Sequence, residues 1–282
     1  WSGRPGGQRY SIGIVSMTDA VPSPPPLAGK IAVVTGASRG IGRAIARQLA
    51  HDGAAVMLAA RDEAALSAVA QEITQAGGRA AACALDLRQP DAPGRLVEAA
   101  VQAFGGLDIV VNNAGATKRG AFLKLAEEDW ADGFALKFFG AVRLTRAAWP
   151  HLRARGGSVV NVVGSGGRTP GAEFAVGGSV NAALLSLTKA LAELGIQDGV
   201  QVNAVNPGPV RTERLAARLQ TAAHDQGVGV EEAAAQMVKY ARITRLGEPE
   251  DIAYLVAFLV SPRGRLMQGS LIDIDGGLTK TI

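Results

Sequence analysis

The segment Thr35-Gly36-Ala37-Ser38-Arg39-Gly40-Ile41-Gly42 directly follows a short apolar run and opens an amphipathic stretch. Glycines here allow a tight turn and close backbone approach, and free N–H groups at a helix start face an anion, so this segment is chemically suited to phosphate. The second apolar run ends at Ala60, where an acidic residue would bond a ribose 2'-hydroxyl, and Arg61 comes next. Arg39 and Arg61 therefore put two guanidiniums on the same side of the turn. Metal chemistry has little to work with. Cys83 is the only cysteine, which excludes an intramolecular disulfide and a cysteine-based zinc site, and His51, His151 and His224 lack metal-ligand spacing.

Short apolar runs alternate with longer alanine-rich stretches: IAVVT, AAVMLAA, RAAACAL, LDIVVNN, GGSVVNVV, VQVNAV and SLIDID. Uninterrupted apolar strands separated by helical lengths imply a parallel sheet buried on both faces, an α/β class. Helices are expected from about Ile41, from Glu63, up to Phe104, from Glu127 to about Ala154, from near Ser179 to Leu194, and from Pro249 to Leu259. Between Arg211 and Leu246 the pattern gives way to a polar, alanine-rich insertion with a Gly-Val-Gly break, which reads as a mobile helical flap. With 282 residues, 48% hydrophobic and 19% charged, one domain over residues 28–282 is the expectation. Residues 1–27 read as a disordered tail, with Met17 as a start that would make residues 1–16 an upstream extension, and with Pro22 to Pro26 as a stiff lead-in. The first 26 residues hold no apolar run of membrane or signal-peptide length. A formal charge of +4 spread along the chain, with no aromatic-basic strip, argues against a nucleic-acid partner. A reducing cytoplasm fits the cysteine usage.

The T-G-x-x-x-G-x-G turn, Asn112-Asn113-Ala114-Gly115 after the fourth strand, Asn206-Pro207-Gly208-Pro209-Val210 after the sixth and Asp275-Gly276-Gly277 near the end stand in order on matching elements. On these motifs the chain resembles the short-chain dehydrogenase/reductase family from about Lys30 to Gly277. The resemblance implies a single-domain Rossmann-type doubly wound parallel sheet with helices on both faces, holding a nicotinamide dinucleotide. Gly36, Ser38, Arg39, Gly40, Ile41 and Gly42 would then cradle the phosphates. Asp86 and Leu87 would flank the adenine, Asn113, Ala114 and Gly115 would line the cofactor, and Pro207, Gly208 and Val210 would also bind it. Arg39 and Arg61 would bind a 2'-phosphate through charge-assisted hydrogen bonds, which favours NADP(H) over NAD(H). The resemblance also implies a homodimer or homotetramer.

The family's reacting centre combines an asparagine, a serine and a Tyr-x-x-x-Lys pair, with tyrosine as proton donor. Spacing puts Lys137 at the asparagine, Gly164 at the serine with Ser165 beside it, Gly177 at the tyrosine and Asn181 at the lysine. No tyrosine lies between Tyr10 and Tyr240, so no slip of register restores the pair. Two changes are reciprocal, keeping an ammonium near the site but on the other helix. Lys137, in the apolar run FALKFF, would serve as general acid, Asn181 would hold ribose hydroxyls, and Ser165 would bind the substrate oxygen. The alternative for Lys137 is an ordinary exposed helix lysine. Gly177 would leave space beside the nicotinamide, Gly177-Gly178 would weaken a helix start, and Arg168 and Glu173 would be solvated loop charges or, less simply, an anion site and a second proton donor. The expected function is NADP(H)-dependent hydride transfer to or from a small carbonyl or alcohol. The competing readings are an inactive dinucleotide-binding homologue, acting as sensor or partner subunit, and a non-redox lyase or isomerase.

Overall fold

A computed structural model describes residues 24–281; the expectations for the tail and for Met17 fall largely or wholly outside them. Seven parallel strands form one sheet in the order β3-β2-β1-β4-β5-β6-β7: β1 Ile31–Thr35, β2 Ala55–Ala60, β3 Arg79–Ala84, β4 Ile109–Asn112, β5 Ser158–Val162, β6 Gln201–Pro207 and β7 Leu271–Ile274. Successive side chains point to opposite faces, and both faces are apolar: in β1, Ala32 and Val34 enter one core layer and Val33 the other. Helices α1 (Gly40–His51), α2 (Glu63–Gln75) and α9 (Pro249–Val260) cover the first face through Ile45, Leu49, Leu66, Ile252 and Val256. Helices α3 (Ala92–Phe104) and α5 (Gly140–Arg155) cover the second through Leu96, Leu144 and Leu152.

Helix α4 (Glu127–Gly133) runs into α5 through a π-helical segment, Phe134–Phe139, without leaving helical backbone angles at Gly133, Phe134, Phe139 or Gly140. A π turn accommodates extra chain within a helix and re-aims the side chains it carries. Lys137 lies within it.

Helix α6 spans Ala175–Asp198 and ends at Gly199, a left-handed cap with φ +70. It starts earlier than near Ser179, because the glycines expected to weaken its first turn are buried packing positions. A Cβ at Gly178 would sit 2.7 Å from Pro170 Cβ, so the glycine permits close approach of the preceding loop. With residues 172–174, α6 is long and apolar enough to cross a membrane by length and composition, but Val176, Val180, Leu184 and Leu185 are buried within this fold.

Residues 211–246 hold two helices, α7 (Glu213–Gln226) and α8 (Val230–Ala241), separated at Gly227, φ +66. Leu215, Leu219, Ala234, Ile243 and Leu246 give this pair its own apolar cluster.

Candidate functional site

The glycine turn is held by the segment after β4. The Thr35 hydroxyl donates to the Val111 carbonyl at 3.2 Å and accepts from the Asn113 and Ala114 amides, both at 2.9 Å. Asn113 Nδ2 returns the contact by donating to Thr35 O at 2.9 Å. Gly36 and Gly40 have φ of +65 and +53, and a Cβ on Gly42 would lie 2.2 Å from the Gly36 carbonyl oxygen, so side chains are excluded here by space as well as by conformation. Arg39 caps α1 in extended backbone with no side-chain hydrogen bond to the helix start. The first amides of α1 therefore retain the orphan donors that suit a diphosphate. At the far end, a Cβ on Gly208 would meet Asp275 Cα at 2.8 Å, which locks the turn after β6 onto the one after β7. Ser38 and Ile41 are half-buried in the glycine turn, and Pro207 and Val210 are buried beside Gly208. This cradle fits the dinucleotide that the sequence motifs imply.

The two cations expected at the 2'-phosphate differ in their surroundings. Arg61 is exposed just beyond β2, whereas Arg39 is paired with Glu213 of α7 at 3.3 Å. Asp86, after β3, accepts from the Arg88 amide at 3.0 Å and its guanidinium at 3.2 Å, and Arg88 also binds Asp132 of α4. Leu87 is buried beside them, with a Cβ at Gly140 set to meet its Cβ at 3.4 Å.

Lys137 is half-buried, and its stem crosses Gly115 so closely that a Cβ there would lie 2.8 Å from Lys137 Cδ. The ammonium donates to the Val163 carbonyl after β5 and to Asn181 Oδ1 at 2.7 Å. Burial, followed by the field of Arg214, brings the Lys137 pKa down from 10.5 to about 7. The structure thus joins Lys137 to Asn181, the two residues whose types the spacing showed exchanged. Asn181 is only 3% exposed, and its Nδ2 lies 3.5 Å from the Gly164 carbonyl, so its amide faces Lys137 and the loop above it. In this arrangement Asn181 Oδ1 supports the ammonium. Ser165 is buried at the start of a 3-10 turn after Gly164.

The space expected at Gly177 is filled. A Cβ on Gly177 would fall 2.1 Å from the Phe174 ring, and one on Gly166 would fall 2.7 Å from the same ring. Phe174 therefore occupies the volume into which any side chain at position 177 would grow, and Arg119 stacks on it with its guanidinium carbon 4.0 Å from the ring centre. Arg168 is not a free loop charge: it pairs with Asp273 of β7 at 3.0 Å. Glu173 is exposed, and its carbonyl accepts from the Gly120 amide at 3.1 Å. Arg214 donates to the Gly115 carbonyl at 2.9 Å. Spacing gave no sign of Phe174, Arg119 or Arg214, since each meets the site through a long-range contact. A buried chain of side chains beneath the site was also missed: Asn112 donates to Thr145 at 3.0 Å and to Asn161 at 2.9 Å, and Asn161 donates to Thr188 at 2.9 Å.

A family model described as enoyl-(acyl carrier protein) reductase matches residues 36–279. An uncharacterized oxidoreductase of Mycobacterium tuberculosis is 42% identical over 252 residues, covering 89% of this chain and 92% of its own. A 3-oxoacyl-(acyl-carrier-protein) reductase of Vibrio cholerae is 34% identical over 256 residues, covering 89% and 98%. Among solved structures, L-sorbose reductase from Gluconobacter frateurii complexed with NADPH and L-sorbose is similar at a TM-score of 0.88 and 33% identity, over 92% of this chain and 100% of that one.

Proposed function

Since the chain belongs to the short-chain dehydrogenase/reductase family of oxidoreductases, we propose that it interconverts a small carbonyl and alcohol with NADP(H), using Lys137 in place of the family's tyrosine as proton donor. The observation that carries this reading is the Lys137–Asn181 hydrogen bond of 2.7 Å, which fixes an ammonium of pKa about 7 beneath the loop after β5. Bound through the glycine turn, Arg39 and Arg61, the dinucleotide would supply or accept the hydride. In reduction, Lys137 Nζ gives its proton to the oxygen of the substrate carbonyl, leaving a neutral amine that regains a proton from solvent. A group titrating near neutrality is well matched to that task, because it is protonated enough to donate and acidic enough to let go. Asn181 Oδ1 and the Val163 carbonyl orient the ammonium by accepting two of its three protons, which leaves the third for substrate. Ser165, in the turn after β5, would bind the same oxygen. Preference for NADP(H) over NAD(H) follows from two cations and no carboxylate at the end of β2.

One feature favours a second reading, a dinucleotide-binding homologue without turnover. The Phe174 ring fills the volume next to Gly177 where the family's phenol would begin. The two readings part on one experiment: NADPH binding followed by fluorescence, then turnover against a panel of small ketones and aldehydes, with Lys137→Met as the control. Binding with no turnover across the panel favours the second reading. Turnover that survives unchanged in the variant removes Lys137 from the chemistry.

A further inference from the structure

Three cations at the reacting centre, and a fourth one helical turn beyond, lack a salt-bridged carboxylate of their own. Among the described residues, Lys137, Arg119, Arg214 and Arg218 have no acidic partner within salt-bridge distance, although most other arginines near them do: Arg39 with Glu213, Arg168 with Asp273, Arg211 with Glu231 and Glu248. They converge from three elements. Lys137 comes from the π segment and lies on Gly115; Arg214, near the start of α7, holds the Gly115 carbonyl; Arg119, four residues further on in the same loop, is stacked on Phe174. Arg218 follows Arg214 by one helical turn on the exposed side of α7, so the two point the same way. The fields of Arg218 and Arg214 both act on Arg119, and Glu173 is the one acid whose field reaches it.

Resting on the reductase reading for the chemistry alone, we propose that Arg119, Arg214 and Arg218 form a receptor for an anionic group, so that the small carbonyl or alcohol substrate is an acid. Like charges gathered on an exposed rim, Arg119 by its ring stack and Arg214 by the Gly115 carbonyl, become more favourable when an anion joins them, and guanidiniums bind carboxylate in a bidentate fork. Partial burial lowers the pKa of both Arg119 and Arg214; next come the field of Arg218 on Arg119, partly offset by Glu173, and the field of Arg39, from the glycine turn, on Arg214. The cofactor's phosphates are the other possible anion. The position of Arg119 argues against them, since its ring partner Phe174 packs on Gly166 and Gly177, in the loop after β5 and the first turn of α6, and not on the glycine turn.

The test is binding, independent of turnover. NADPH-saturated protein is titrated calorimetrically with succinate, glutarate and adipate and with their dimethyl esters; if NADPH itself fails to bind, the same titration is run without it. Wild-type protein should bind at least one dicarboxylate and none of the esters. Arg119→Gln with Arg218→Gln should weaken it about tenfold or more while NADPH affinity holds, and the corresponding lysine pair should recover part of the loss. Glu173→Gln, an exposed change that leaves packing intact, should tighten it. The inference is overturned if acids and esters bind alike, if the glutamine pair binds as the wild type does, if NADPH affinity falls in parallel, or if Glu173→Gln weakens binding. Absence of turnover with every carbonyl would sink the reductase reading and leave this result standing.

Discussion

The Lys137 ammonium reaches from the π segment to Asn181 Oδ1 on α6 at 2.7 Å, so the two helices that flank the site are joined through one proton-bearing group. Both partners are needed to hold it: Gly115 gives the lysine stem room to pass, and Asn181 gives its tip a neutral acceptor. A neutral acceptor orients the ammonium without cancelling its charge, which leaves burial free to lower its pKa.

With Lys137 at a pKa of about 7, carbonyl reduction should need the protonated form and fall as pH rises above that value. Lys137→Met should lower kcat by about 10² to 10⁴ with NADPH binding retained. Stability carries the same signature. The folded pKa is depressed from 10.5 to about 7, so between those values the unfolded chain binds more protons and stability rises with pH. Melting temperatures across that window should show a rise attributable to this group, absent in Lys137→Met; an identical pH dependence in both proteins would contradict the assignment.

Asn181→Asp changes a neutral acceptor to an anionic one at the same distance. An opposite charge within hydrogen-bond reach favours the ammonium, so the alkaline limb of the rate profile should move to higher pH while the protein stays folded. Asn181→Ala should instead loosen the ammonium and lower kcat without that upward shift. A profile that stays put in the aspartate variant would show that Asn181 does not set the proton donor.

Phe174 and Gly177 compete for one volume, which makes their substitutions interdependent. Gly177→Tyr alone meets the Phe174 ring and should destabilise the fold by about 1–3 kcal/mol, whereas Phe174→Ala removes a packed ring and the cation–π partner of Arg119. Together they should cost less than the sum, because the ring removed at position 174 leaves the volume that the new side chain at position 177 fills. Denaturant unfolding of the four proteins measures the coupling, and strict additivity would contradict the shared volume.

At the adenosine end, Glu213→Gln should release Arg39 and tighten NADPH by no more than about fivefold, since an exposed ion pair contributes only about 0–1 kcal/mol. Arg39→Gln with Arg61→Gln should reduce the preference for NADPH over NADH by about tenfold or more. Equal losses for the two dinucleotides would place the 2'-phosphate contact elsewhere.

The sheet was legible because its central strands, such as β1 and β2, are continuous apolar runs, a pattern that two-sided burial explains, and the glycine turn because Gly36, Gly40 and Gly42 each answer a local demand of conformation or space. Spacing marked Lys137 and Asn181 as a reciprocal exchange across two helices, but not that the lysine would donate to the asparagine. Phe174 was not, because its relation to Gly177 and Gly166 is a tertiary packing contact that no local period records. The same holds for the start of α6: glycine propensity argued for a later start, and close packing against Pro170 and Phe174 prevailed. The arginines of the rim read as scattered surface charge until the loop after β4 and helix α7 came together.

The π segment makes the aim of Lys137 depend on residue count as much as on residue type. A helix advances about 100° per residue, so removing one residue from Phe134–Phe139 to restore regular α spacing would swing everything on one side of the deletion by that angle. The lysine would still be present in the sequence, at what looks like the same place in an alignment, yet turned off its acceptors. Homologues that differ here by a single insertion or deletion would thus differ in wiring while sharing every functional side chain, and length through this stretch is the first thing to compare among them.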